Sequence, residues 1–206
     1  MTRTGRAVAA AVLLAAAGIA RADGYLESSY RLTTLISLTW EVAAPMQDLR
    51  SYVDQTSLRG GQFELRVGVA RHLSLGLATS WNWFAQNFDQ MSISYPDATV
   101  TAAVYDRAQF IALQPTLHWY IIDGPLQPYL GVGAGGVWTS VYRAVADLST
   151  SSSSFDFAAR ADAGVLLTIG PGFAVHVSAR YQYTLAGFYG VQNAQWLGAN
   201  IGLAVY

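Results

Sequence analysis

The chain has 206 residues, of which 52% are hydrophobic, 13% aromatic and only 12% charged, with twelve Arg, no Lys and no Cys; that charge fraction is about half the quarter usual for a soluble domain. This balance excludes a disordered chain, and after residue 22 no run approaches the roughly 20 apolar residues that a membrane-spanning helix needs. A net charge of -1 with scattered cations argues against nucleic acid as a partner, and the lack of Cys removes disulfides, thiolate metal sites and a Cys nucleophile.

The first segment reads as a cleaved signal peptide, residues 1–22. Arg3 and Arg6 give a positive start, Ala7 to Ala20 form a short apolar core, and Ala20-Arg21-Ala22 has small residues at the positions a signal peptidase reads. As a helix that core would rise only about 21 Å, short of a hydrocarbon layer of about 30 Å. Loss of Arg3, Arg6 and Arg21 leaves nine Arg against thirteen acids, a mildly acidic exported chain. Residues 23–32 are assigned as a periplasmic N-terminal extension, with a piece entering the barrel as the alternative, and residues 33–206 as one domain.

That domain alternates apolar and polar residues with the period of a strand. The first candidate strand, Thr33 to Val42, sets Ile36, Leu38, Trp40 and Val42 against Ser37, Thr39 and Glu41. The second sets Phe63, Leu65, Val67 and Val69 against Glu64 and Arg66. The third runs from Leu73 to Trp83, the fourth from Phe110 to Trp119, and the Gly-rich fifth from Tyr129 to Tyr142. Phe155 to Ile169, Phe173 to Tyr183 and Leu197 to Val205 complete eight. The expected connections alternate in length: 44–59 long, 70–72 short, 85–104 long, 122–127 short, 143–154 long, 170–172 short, 185–194 long. This rhythm predicts an eight-stranded antiparallel up-and-down transmembrane β-barrel with short periplasmic turns and long extracellular loops. The Ser149 to Ser154 run is expected to be a mobile loop.

Two consequences follow for side chains. Trp40, Trp81, Trp83, Trp138, Tyr181 and Tyr183 should form an outer aromatic girdle, with Trp119 and Phe173 at the periplasmic edge. Glu41, Glu64, Arg66, His118, Arg160, Asp162, His176 and Arg180 should face inward as a lumenal polar network, because eight strands leave a lumen just wide enough for side chains to fill. Such a network could also line a narrow pore for ions or small solutes.

Several stretches are similar to the outer-membrane β-barrel family of small eight-stranded bacterial proteins, whose relatives include the OmpA barrel, OmpX and OmpW. They are Ile36-Ser-Leu-Thr-Trp40, Pro45-Met-Gln-Asp-Leu49, Thr56-Ser-Leu-Arg-Gly60, Glu64-Leu-Arg66, Leu73-Ser-Leu-Gly-Leu77, Trp81-Asn-Trp-Phe84 and Pro128-Tyr-Leu-Gly-Val-Gly-Ala-Gly135. The resemblance implies a bacterial outer-membrane location, with membrane lipid and lipopolysaccharide as surroundings. It also implies Tyr206 as the terminal aromatic that the barrel assembly machinery reads, although Gly202 stands one position from its usual place in that signal. A monomer is expected.

The pair His176-Val-Ser178 resembles the His-x-Ser of outer-membrane lipid A deacylases. A Ser nucleophile needs a base and a third group that orients the base. No Asp or Glu follows Asp162, however, Ala179 stands where that family carries Asn, and both residues face the lumen by parity. The expectation is therefore a barrel without catalysis, cofactor or metal, with a structural or surface-interaction role. A pore is the first alternative and lipid A modification a distant one. Gly131, Gly133, Gly135 and Gly136 are not read as a dinucleotide loop, since a strand and no helix follows them. The His at 72, 118 and 176 lack metal-site spacing.

Overall fold

The computed structural model describes residues 34–95 and 98–205; the expected signal peptide, the extension at 23–32 and Tyr206 lie outside them. Eight antiparallel strands close into a barrel: β1 (Thr34–Met46), β2 (Ser57–Ala70), β3 (Leu73–Tyr95), β4 (Ala98–Tyr120), β5 (Leu126–Val145), β6 (Leu148–Gly170), β7 (Phe173–Thr184) and β8 (Ala194–Val205). Each strand pairs with its sequence neighbour, and β1 closes the ring on β8 from Ile36↔Val205 to Met46↔Gln195. A closed ring satisfies every strand edge, as hydrocarbon requires.

Two strand boundaries differ from the sequence expectation. Residues 85–104 and 143–154 are mostly strand: the β3–β4 ladder continues to Tyr95↔Ala98, and the β5–β6 ladder to Val145↔Leu148. The Ser-rich run is part of this ladder, with Ser151 opposite Tyr142 and Ser153 opposite Ser140. Apolar alternation marks the depth of the bilayer, whereas backbone pairing needs no apolar side chain and continues beyond it. The first connection is shorter than expected too, because β1 extends to Met46 and a helix, α1 (Gln47–Tyr52), fills part of the gap.

Inside the barrel, large buried side chains form an apolar layer at each end with a polar belt between them. The outer layer includes Phe84, Phe110, Val137 and Trp196 from the wall, and Leu49 and Tyr52 from α1. Phe110 and Trp196 meet at 4.9 Å between ring centroids. Tyr52 stacks on Tyr189 from the β7–β8 connection, and its hydroxyl donates to the Tyr142 carbonyl at 3.1 Å. Burial, with the Asp106 carboxylate nearby, pushes that hydroxyl's pKa up and keeps it a donor. The periplasmic layer holds Leu35, Tyr120, Tyr129 and Leu166.

Candidate functional site

All eight residues that alternation assigns inward are buried, and most meet in one belt. Glu64 is its hub. Its carboxylate accepts from Arg66 Nη2 at 2.7 Å, Thr116 Oγ1 at 2.8 Å, Gln62 Nε2 at 2.9 Å and Arg160 Nη2 at 3.1 Å. His118 Nε2 lies 3.4 Å from Glu64 and 3.3 Å from Asp162, which also faces Arg160 Nε at 3.3 Å. Arg180 pairs with Glu41 and donates to Gln62 Oε1 at 2.6 Å. Three carboxylates thus meet three guanidiniums, and mutual pairing offsets the cost of burying each charge. Gly131 makes room for this crowding: a Cβ there would lie 2.6 Å from both Asp162 Oδ2 and the His118 ring.

Gln62, Thr116 and Tyr129 also belong to the belt, which alternation alone did not indicate. Tyr129 had a usable signal, since it shares parity with Gly131 and Gly133, but a Gly-rich segment gives little apolar contrast by which to read a face. It is the link to the His-x-Ser pair. His176 is buried on β7, and its Nε2 lies 2.6 Å from the Tyr129 hydroxyl, which also receives Arg66 Nη2 at 3.3 Å. The second ring nitrogen, Nδ1, has no hydrogen-bond partner among the described residues. Ser178 lies two residues along the same strand, opposite Gly164 and Asn200, half-buried. The ingredients of a nucleophile and base are therefore adjacent on the inner wall, with a phenol against the base where a triad would have a carboxylate.

On the outside, Trp40, Trp81, Trp119, Trp138, Phe173 and Tyr181 are all exposed to the surroundings. Trp40, Trp81 and Trp138 fall on one hydrogen-bonded row, from Trp40↔Gly61 through Trp81↔Ile111 to Ile111↔Trp138. Tyr183 is half-buried, and so is Trp83, which two arginines cover.

Comparison with known proteins identifies the kind of barrel. Residues 66–184, from β2 to the end of β7, match the family model for lipid A 3-O-deacylase (PagL), and the matched stretch contains His176 and Ser178. No curated protein sequence matches the chain. Among solved structures, neisserial surface protein A superposes with a TM-score of 0.58 at 14% identity, over 84% of this chain and 96% of that one. The outer membrane protease OmpT of Escherichia coli does so with a TM-score of 0.51 at 9% identity, over 84% and 95%. At such identities these two establish the fold alone, a bacterial outer-membrane barrel. The family match overturns the expectation of a barrel without catalysis. That expectation weighed the missing acid and the missing Asn around one short motif, whereas the family signal is spread over six strands. More than half of the sequence carries that signal, and the chain belongs to the lipid A 3-O-deacylase (PagL) family.

Proposed function

We propose that this barrel hydrolyses the 3-O-acyl ester of lipid A in the outer membrane, with Ser178 as nucleophile and His176 as base. The observation that carries the reading is the family match over a stretch that includes the His-x-Ser pair. Ser178 Oγ attacks the acyl carbonyl carbon and its proton passes to His176, which returns it to the departing sugar hydroxyl. Water then cleaves the acyl-serine ester and releases the fatty acid. Tyr129 orients His176 in place of a carboxylate. A neutral phenol stabilises the imidazolium less than a carboxylate does, and loss of the charged partner in a serine-protease triad lowers kcat by about 10⁴. Slow turnover is the expected consequence, so the assay must let product accumulate.

The test is mass spectrometry of lipid A from cells overexpressing the chain to saturation. Loss of one 3-linked acyl group with the wild type, and none with Ser178→Ala or His176→Ala, is the expected result. Deacylation that survives Ser178→Ala moves the nucleophile away from this pair. An unaltered lipid A profile, with the barrel folded in the outer membrane, overturns the reading.

A further inference from the structure

Of the eight Arg among the described residues, six pair with a carboxylate: Arg50 with Asp54, Arg66 and Arg160 with Glu64, Arg71 with Asp123, Arg143 with Asp106 and Arg180 with Glu41. Arg59 and Arg107 have no such partner among the described residues, and both lie against one indole. Both guanidiniums approach the Trp83 ring, Arg59 at 6.0 Å and Arg107 at 5.1 Å from its centroid, and Arg107 also stands 5.3 Å from the centre of Tyr142. The Arg107 Nε and Trp83 Nε1 donors are shielded from solvent yet bond to nothing among the described residues. Beside them opens a groove of about 380 Å³ lined by Thr56, Arg59, Trp83, Asn87 and Tyr105.

Position gives these unmet cations their meaning. Arg107 and Trp83 have lipid-facing parity, being even-numbered steps from Ile111 and Trp81, and they lie just beyond the Trp40–Trp81–Trp138 row toward the extracellular end. The apolar band ends at such an aromatic row and lipid headgroups begin. Two arginines with free donors at headgroup depth, held by one indole, suit an oxyanion: a guanidinium binds phosphate through a fork of N–H donors. Aromatic stacking holds the forks in place before a ligand arrives, which lowers the ordering cost of binding.

We infer that Arg59 and Arg107, set around Trp83 on the outer face of β2–β4, bind the phosphate of a lipid A headgroup. This goes beyond the proposed function, because β3 stands across the ring from β7, and it rests on that function only for the choice of glycolipid. The cluster holds the sugar end of the lipid at the extracellular rim while its acyl chains lie along the barrel wall.

Binding can be read without turnover, because hydrolysis of an acyl ester leaves the phosphates in place. Purified barrel in neutral detergent is titrated with bis-phosphorylated lipid A, with chemically dephosphorylated lipid A and with inorganic phosphate, and complexes are counted by native mass spectrometry. The expected result is binding of the phosphorylated lipid that weakens about tenfold or more in Arg59→Ala/Arg107→Ala. The dephosphorylated lipid should bind the wild type no better than the phosphorylated lipid binds that variant. Arg59→Lys/Arg107→Lys, which keeps the charges, should recover part of the loss and covers the case of a double Ala variant that does not fold, which heat-modifiable migration reveals. Equal binding of the two lipids, or an unaffected double variant, overturns the site. Inorganic phosphate that competes as strongly as lipid A overturns the assignment to a headgroup. If phosphate-dependent binding stands while the cellular lipid A profile is unaltered, the deacylase reading falls and this site does not.

Discussion

Glu64 receives more hydrogen bonds than any other lumenal carboxylate described, and two of its donors, Arg66 and Arg160, are guanidiniums with almost no exposure. Removing it orphans both charges in a low-dielectric interior, and breaking a buried ion pair from one side costs about 3–5 kcal/mol. Glu64→Ala should therefore lower stability by that order, measured by urea unfolding of the barrel from lipid vesicles. Adding Arg66→Met should cost less than the sum of the two single changes, because one orphaned charge leaves with its partner. Strict additivity would mean that Glu64 and Arg66 do not depend on each other. Parity in the sequence placed Glu64 and Arg66 on one face, two residues apart. It could not say that Arg160 would reach Glu64 or that Arg180 would reach Glu41, because those contacts join strands 96 and 139 residues apart and depend on register. The same limit hid Arg59 and Arg107: Arg59 lay in a stretch read as a loop and Arg107 just ahead of the fourth strand as read, and only the cross-strand ladder brings both to Trp83.

The strands differ in length in a way that bears on substrate entry. β3, β4 and β6 have 23 residues each and β5 has 20, whereas β7 and β8 have 12 each. The number and order of strands are legible in the sequence because lipid outside and charge inside impose period two on every one of them. The tall β3–β6 wall is not legible there, since beyond the bilayer nothing distinguishes a polar ladder residue from a polar loop residue. Ser178 and His176 face inward on the low side of this wall, and the β7–β8 seam that they border is shorter than the ladders within the β3–β6 wall, so less pairing must part there for a bilayer ester to enter. β7 pairs with β8 through twelve residue pairs, among them Tyr181↔Leu197 near the outer rim. A disulfide between those positions would hold the two strands together, since directly opposed strand residues lie within the Cα separation a disulfide spans. The chain has no Cys of its own to interfere. In Tyr181→Cys/Leu197→Cys, deacylation should fall severalfold when oxidised and return on reduction, while Leu75→Cys/Leu117→Cys across β3–β4 should show no redox dependence. Equal activity of the oxidised and reduced β7–β8 variant would exclude entry between these strands.

Across the molecule as a whole, the exterior of the wall is apolar and the interior charged, the inverse of a soluble barrel. This distribution explains how a chain at 52% hydrophobic and 12% charged can lack a spanning helix: the described residues contain no helix long and apolar enough to cross, and crossing falls to strands. It also makes the effect of a charge on the outside depend on depth rather than on local packing. Leu77 faces lipid, pairs with Leu65 and Pro115, and stands midway along β3 between the Trp81 row and the Leu73↔Trp119 pair at the periplasmic edge. Ile169 is more exposed but lies at the periplasmic end of β6, next to Gly170, its last residue before the turn to β7. An Arg on the lipid face costs about 2–4 kcal/mol at the midplane and about 0–1 near an interface. In vesicles, Leu77→Arg should thus unfold at distinctly lower urea than the wild type, with Ile169→Arg close to it, although Ile169 is the more exposed of the two. The order of the two losses separates a bilayer from water as the solvent of this surface. In water both changes would be nearly neutral, so equal, small losses from vesicles would mean that the apolar exterior does not face lipid.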